Sequence, residues 1–168
     1  MYGFPFGDAA TRVDRLEEAL TVVTSLLHSD EPVSYSGRFY QLQNATLLPR
    51  PLGPHTPKLL IGGTGRRRML PLIARFADVW NGDKLTLDEY RAASSSLDEQ
   101  MRAVGRKPEE IKRSVLVPVL CGQNQAEIEG QLQGLRLLQP DLPTHPWATV
   151  VEELRKIMQT LIMGTPEE

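Results

Sequence analysis

Apolar and polar positions alternate with two different periods along the chain. From Asp8 to Leu27, Val13, Leu16, Leu20, Val23 and Leu27 recur at spacings of three and four, which predicts an amphipathic helix with Asp8 as N-cap. Arg12, Asp14, Arg15, Glu17 and Glu18 fill the remaining face and read as solvated. Val33–Tyr35 and Arg38–Leu42 then flank Ser36-Gly37, a hairpin signature in which Gly37 is expected to supply the positive φ of a tight turn. A segment with Pro49, Pro51, Pro54 and Pro57 reads as extended and irregular.

Beyond the prolines the pattern alternates between strand and helix. Lys58–Ile61 is a short apolar run ending at Gly62-Gly63, as in a buried strand. A helix over Gly65–Ala77 follows, with Met69, Leu72, Ile73 and Phe76 on one face, and then a strand at Asp78–Asn81. Thr86 and Glu89 form a capping box that starts a helix running to about Val104, with Gly105 as its C-cap. Ser114–Cys121 reads as a third strand, interrupted in propensity by Pro118, and Gln125–Leu138 as a helix. A last helix is expected over Thr149–Leu161. Strands separated by helices of this length imply parallel pairing with right-handed crossovers, hence an α/β class.

The 168 residues suffice for an independent core. A complete (β/α)₈ barrel needs at least about 200. The ending Gly164-Thr165-Pro166-Glu167-Glu168 has the signature of a helix start, so the carboxy terminus reads as cut. The net charge of −2 gives no reason to expect nucleic acid or an anionic membrane as partner. No apolar run approaches the roughly 20 residues of a membrane span, and no signal-peptide pattern opens the chain. With the single Cys121, a disulfide framework within the chain is excluded and a cytoplasmic address is expected.

Candidate chemistry concentrates at Ile61-Gly62-Gly63-Thr64-Gly65-Arg66-Arg67-Arg68. Glycines between a strand and a helix let backbone approach a ligand, and the helix start offers N–H donors. Three arginines in a first helical turn oppose the macrodipole, and a phosphate or carboxylate would offset them. The alternative is a glycine turn whose arginines are solvated or paired to acids on neighbouring elements. Neither the P-loop ending nor the GxGxxG spacing is present. Trp80 and Asn81 close the second strand, where α/β folds place their ligands. Trp80 can stack on a flat ring while Asn81 hydrogen-bonds it, or the indole can plug core beneath a loop. His28, His55 and His145 carry no metal-ligand spacing, and no nucleophile, general acid or general base stands out.

The order of motifs resembles the bacterial luciferase-like monooxygenase family, in particular its branch of F420-dependent oxidoreductases. The resemblance is carried by Tyr2-Gly3-Phe4-Pro5-Phe6 with Arg12–Ala19, by Gly37–Leu42 with Asn44-Ala45 and Pro49-Arg50-Pro51, and by Pro57–Gly65 with Arg67-Arg68. Leu72–Asn81, Gly105-Arg106 with Pro108–Ile111, and Gly164–Glu168 extend it over nearly the whole chain. It implies a partial TIM barrel forming one domain over 1–168: about strands 5 to 7 with their helices and a β-hairpin insertion, without the first four strands or the closing one. It further implies F420, or alternatively FMN, at the strand ends, where Gly62, Gly63, Thr64, Gly65, Arg67, Trp80 and Asn81 would line the cofactor site. The expected activity of the parent is hydride transfer or monooxygenation on a small-molecule substrate. The expected partner is a second copy or a separate N-terminal half, with a non-catalytic half-barrel and an anion-binding module as alternatives.

Overall fold

A computed structural model of the chain describes residues 6–50, 56–83, 85–116, 119–138 and 162–164. The elements are α1 (Ala9–His28), β1 (Val33–Ser36), β2 (Gln41–Ala45), β3 (Leu60–Gly62), α2 (Met69–Phe76), β4 (Val79–Asp83), α3 (Leu87–Ala103), β5 (Lys112–Leu116), β6 (Val119–Cys121), α4 (Gln125–Leu138) and β7 (Ile162–Gly164). β1 and β2 form an antiparallel hairpin, β3-β4-β5 a parallel sheet in that order with α2 and α3 as crossovers, and β6 pairs in parallel with β7. The chain divides into two compact units, Met1–Trp80 with Ser95–Lys112 and Asn81–Ser94 with Arg113–Glu168, so the division passes through β4, α3 and β5.

In the first unit the core consists of Leu20, Val22, Ile61, Leu70, Leu72, Ile73, Ala74, Ala77, Trp80, Leu97, Met101 and Ile111. The Asp8 carboxylate accepts from the Thr11 backbone N–H at 2.7 Å, as an N-cap should. That bond is the main reason its pKa falls below the ordinary carboxylate value. The buried face of α1 is rotated from the expected one. Val22 is buried and Val23 exposed, because the face carrying Asp14, Glu17 and Glu18 is partly covered by tertiary contacts where the sequence implied a solvated one. Asp14 pairs with Arg68, Glu17 with Arg75 at 2.6 Å, and the Glu18 carboxylate accepts from the backbone N–H groups of Arg38 (3.0 Å), Phe39 (2.9 Å) and Tyr40 (3.3 Å).

The hairpin is present, but Gly37 does not have the expected positive φ, since the connection is the longer loop 37–40 and not a two-residue turn. Its glycine is required by space. A Cβ there would run into the Glu18 carboxylate and the Tyr35 ring.

Arg106 closes the far end of α2 by donating from Nη1 to Ala74 O at 2.8 Å and Ala77 O at 3.1 Å. Gly105 ends α3 in the left-handed conformation (φ +76), as expected of its C-cap.

The second unit has a smaller buried set, Ala93, Leu120, Ile128 and Leu132. The capping box of α3 is formed. Glu89 Oε2 accepts from Thr86 N (2.9 Å) and Oγ1 (2.8 Å), and these bonds lower the Glu89 pKa. α4 has the expected bounds and a related start, Glu127 N donating to Asn124 Oδ1 while Glu127 Oε2 accepts from the N–H of the preceding Gln123. The stretch expected to be one strand, Ser114–Cys121, is two. β5 and β6 belong to different sheets, and Pro118 between them lies outside the described residues. β7 was not anticipated, because three residues are too few to show a period. The expected helix over 149–161, the helix start after Gly164, and His55 and His145 also lie outside the described residues.

Replacing Gly37 with Ala is expected to destabilise the chain by about 1–3 kcal/mol, since the added methyl displaces the Glu18 carboxylate from its three N–H donors. Chemical denaturation of the purified variant reads this directly, and an unchanged midpoint would show that the carboxylate can move aside freely.

Candidate functional site

β3 ends in Gly62, and the chain runs through Gly63, Thr64 and Gly65 before turning at 66–68 into α2. Gly63 sits at φ +116, a region that side chains other than glycine's rarely adopt. The loop is fixed from beneath. The Trp80 ring is fully buried (0% exposed), and its Nε1–H donates to Gly63 O at 2.8 Å. The indole thus takes the place that the sequence offered as one of two options, packed core under a loop, and its one polar atom sets the loop's position. From the outer side, Gly65 O accepts from both Met69 N (2.9 Å) and Leu70 N (3.0 Å) and so starts α2.

The helix therefore begins later than the sequence pattern indicated. Arg66, Arg67 and Arg68 lie in the turn before α2, with Arg68 as its N-cap position, not inside its first helical turn. The physical cause is the doubled acceptance at Gly65 O, which holds the chain in a turn over three residues. The three arginines part company there. Arg68 pairs with Asp14 and also donates to Ala10 O at 3.3 Å. The side chains of Thr64, Arg66 and Arg67 make no hydrogen bond or ion pair among the described residues, and Arg66 and Arg67 are exposed.

Asn81 belongs to the second unit. Its side chain is half-buried, and its Oδ1 accepts from Ser114 Oγ on β5 at 2.9 Å. Ser114 was not among the residues the sequence singled out, and a serine at one strand position carries no signal that could have drawn attention to it. Gly82, next along β4, is buried against Leu85 and Tyr90. Of the seven sequence candidates, the structure gathers Gly62, Gly63, Thr64, Gly65 and Trp80 with Arg67 at one strand-to-helix turn. It gives Asn81 a partner of its own in the other unit. Cys121 is exposed on β6, and His28 bonds Thr24 O in the last turn of α1, as a structural histidine does. Among the described residues no cluster could hold a metal ion, and no helix is long and apolar enough to cross a membrane.

Parallel strands joined by helices, with a glycine turn where one strand passes into a helix, define the class: an α/β arrangement of the β/α-barrel kind. The model of the luciferase-like monooxygenase family matches residues 1–164, and the chain belongs to that family. No curated protein matches it in sequence. Among solved structures it is similar to an F420-dependent secondary alcohol dehydrogenase in complex with an F420–acetone adduct, at 17% identity and a TM-score of 0.74, over 98% of this chain and 52% of that one. It is also similar to EDTA monooxygenase from Chelativorans sp. BNC1 (19% identity, TM-score 0.68, 99% and 53% covered) and to a monooxygenase from Streptomyces bottropensis (18%, 0.67, 95% and 49%). The chain spans about half the length of these structures.

Changing Trp80 to Phe keeps a buried ring but leaves Gly63 O without its donor. The expected loss is about 1–3 kcal/mol in stability, measured by denaturation. An unaltered stability would mean the loop holds its place without the indole.

Proposed function

We propose that this chain supplies the glycine-loop portion of a luciferase-like oxidoreductase that works with F420, with FMN as the alternative. The reading rests on the family membership and is carried by one observation: Arg66 and Arg67 stand without ionic partners among the described residues at the turn where β3 passes into α2. Both cofactors bear phosphate, and two unpaired guanidinium groups beside exposed glycine backbone suit such an anion. The donor set therefore fits the group. Arg67 and Arg66 would neutralise the phosphate, Gly62–Gly65 would let it approach the backbone, and Trp80 would hold that backbone still from below. The bound ring would supply the hydride or the reducing electrons, while the chain's own residues bind and orient it. A solved relative described as F420-dependent supports F420, and another described with modified FMN keeps the alternative open. The parent reaction is hydride transfer to or from a small-molecule substrate, or monooxygenation, and the isolated chain is proposed to have no steady-state turnover.

Titrating the 168-residue chain with F420, and in parallel with FMN, tests this by cofactor fluorescence. Saturable binding is expected, weakened about tenfold, or about 1.4 kcal/mol, by Arg67→Ala. Absence of binding for both cofactors, or no effect of Arg67→Ala, rejects the reading. Turnover by the chain alone rejects the claim that it is catalytically incomplete.

A second reading concerns assembly. Leu60 is 61% exposed on β3, the end strand of the β3-β4-β5 sheet, and an apolar residue on an open edge invites pairing. The partner is proposed to be a second copy or a separate N-terminal half. Sedimentation velocity should show concentration-dependent association that Leu60→Lys reduces, and a monomer at every concentration would rule out self-pairing.

A further inference from the structure

The β1–β2 hairpin has little apolar burial to hold it in place. No further strand joins the pair among the described residues, and no residue from Val33 to Ala45 is fully buried. A hairpin of two strands is marginal in water by itself. Its position therefore rests on its attachments to α1, and these differ between its two ends. At the base, residues 29–32 lead directly from α1 into β1. Beyond β2, Arg50 donates from Nη1 to Leu26 O at 2.8 Å and from Nη2 to Asp30 at 2.9 Å. At the tip, the Glu18 carboxylate accepts from the N–H groups of Arg38, Phe39 and Tyr40. Two further contacts of the tip are weak and lie at the surface: Arg38 with Asp14 at 3.9 Å, and the Arg15 guanidinium 5.2 Å from the centre of the Phe39 ring. Packing between tip and α1 is open. A cleft of about 370 Å³ lies there, lined among others by Glu17 and Thr21 of α1 and by Tyr35 and Phe39 of the hairpin.

We propose that the hairpin is a strap that opens from α1 as one unit, pivoting at its Arg50-held base, with Glu18 as the latch at its tip. A single charged acceptor holds three donors, so the tip is either fully fastened or fully released. Release parts the Tyr35 and Phe39 rings from α1 and widens the cleft. The helix α2 keeps its own ties to α1 through Asp14–Arg68 and Glu17–Arg75, so it stays in place while the strap is open.

Native-state amide hydrogen exchange on the full chain, without cofactor, tests this. The amides of Arg38, Phe39 and Tyr40 read the latch itself, and those of β1 and β2 read whether the strap follows it. In the wild-type chain both groups should share one level of protection, and that level should depend less on urea than the protection of α2, because less surface is exposed on opening. Equal urea dependence in the hairpin and in α2 would mean that the hairpin opens only with the whole unit, and overturns the proposal. Glu18→Gln keeps the size of the side chain but leaves one acceptor oxygen and sets an NH₂ among the donors. It should speed exchange about tenfold through the loop and both strands, the order of one charged hydrogen bond, with α2 unchanged. Acceleration confined to 38–40 would show a loop that frays alone. Acceleration of α2 by the same factor would show that Glu18 holds the unit and not a strap. Either result overturns the proposal.

Discussion

The Glu18 carboxylate is the constraint on which the first unit depends. It sits on the polar face of α1 and accepts three successive backbone N–H groups, those of Arg38, Phe39 and Tyr40. Those donors would otherwise be unpaired in the loop between β1 and β2. A charged acceptor shared among three N–H groups is stronger than a neutral bond and fixes direction as well. The closeness of this contact explains Gly37, where any side chain would occupy the space that the carboxylate and Tyr35 now fill. Burial of the Tyr35 phenol, followed by the charge of Glu18 and then of Glu17, raises its pKa. The hairpin is thus fastened to α1 by polar contacts, while its own strands stay partly exposed.

The same helix face governs the candidate site. Asp14 takes Arg68 and Glu17 takes Arg75, so both ends of α2 are tied to α1, and Arg106 caps the α2 carbonyls from the other direction. Partly exposed ion pairs contribute only about 0–1 kcal/mol each. Their value here is registration more than stability. They fix where α2 begins, and therefore where the glycine turn must end. Trp80 fixes the turn's other side through Gly63 O. A loop held by a buried indole on one side and by a tethered helix on the other presents its backbone in one place, which is what close approach to a ligand demands.

Much of this was legible in the sequence where the signal is local. The Asp8 N-cap, the Thr86–Glu89 box, Gly105 and the bounds of α4 all follow from residues within a turn of each other, and each is found as expected. The position of the glycine turn was legible for the same reason, since glycines after an apolar run mark a strand end. What could not be read depends on residues distant in sequence. Glu18 and Gly37 meet across the α1–β1 connection, Arg68 and Asp14 are 54 positions apart, and Asn81 and Ser114 are 33 apart. Helical periodicity shows that Asp14, Glu17 and Glu18 share a face. It is silent on whether that face meets water or backbone, and here it meets both, with Asp14 and Glu17 partly exposed in ion pairs and Glu18 bonded to the hairpin loop.

The division among three adjacent arginines carries the argument one step further. Arg66, Arg67 and Arg68 look alike in sequence, and a rule about helix dipoles treats them as one unfavourable block. In the structure that block is split. One carboxylate, Asp14, answers one guanidinium, Arg68, whose contact holds α2 against α1. No acid answers the other two among the described residues. If all three had been needed only to pack the helix, further acids on α1 were within the same face, yet Glu17 is committed to Arg75 and Glu18 to the hairpin loop. The acidic face of α1 is used up by structure, and the charge left over lies at the glycine turn. That surplus separates the architectural role of this turn from its proposed role in binding: Arg68 ties α2 to α1, and Arg66 and Arg67 have no such tie among the described residues.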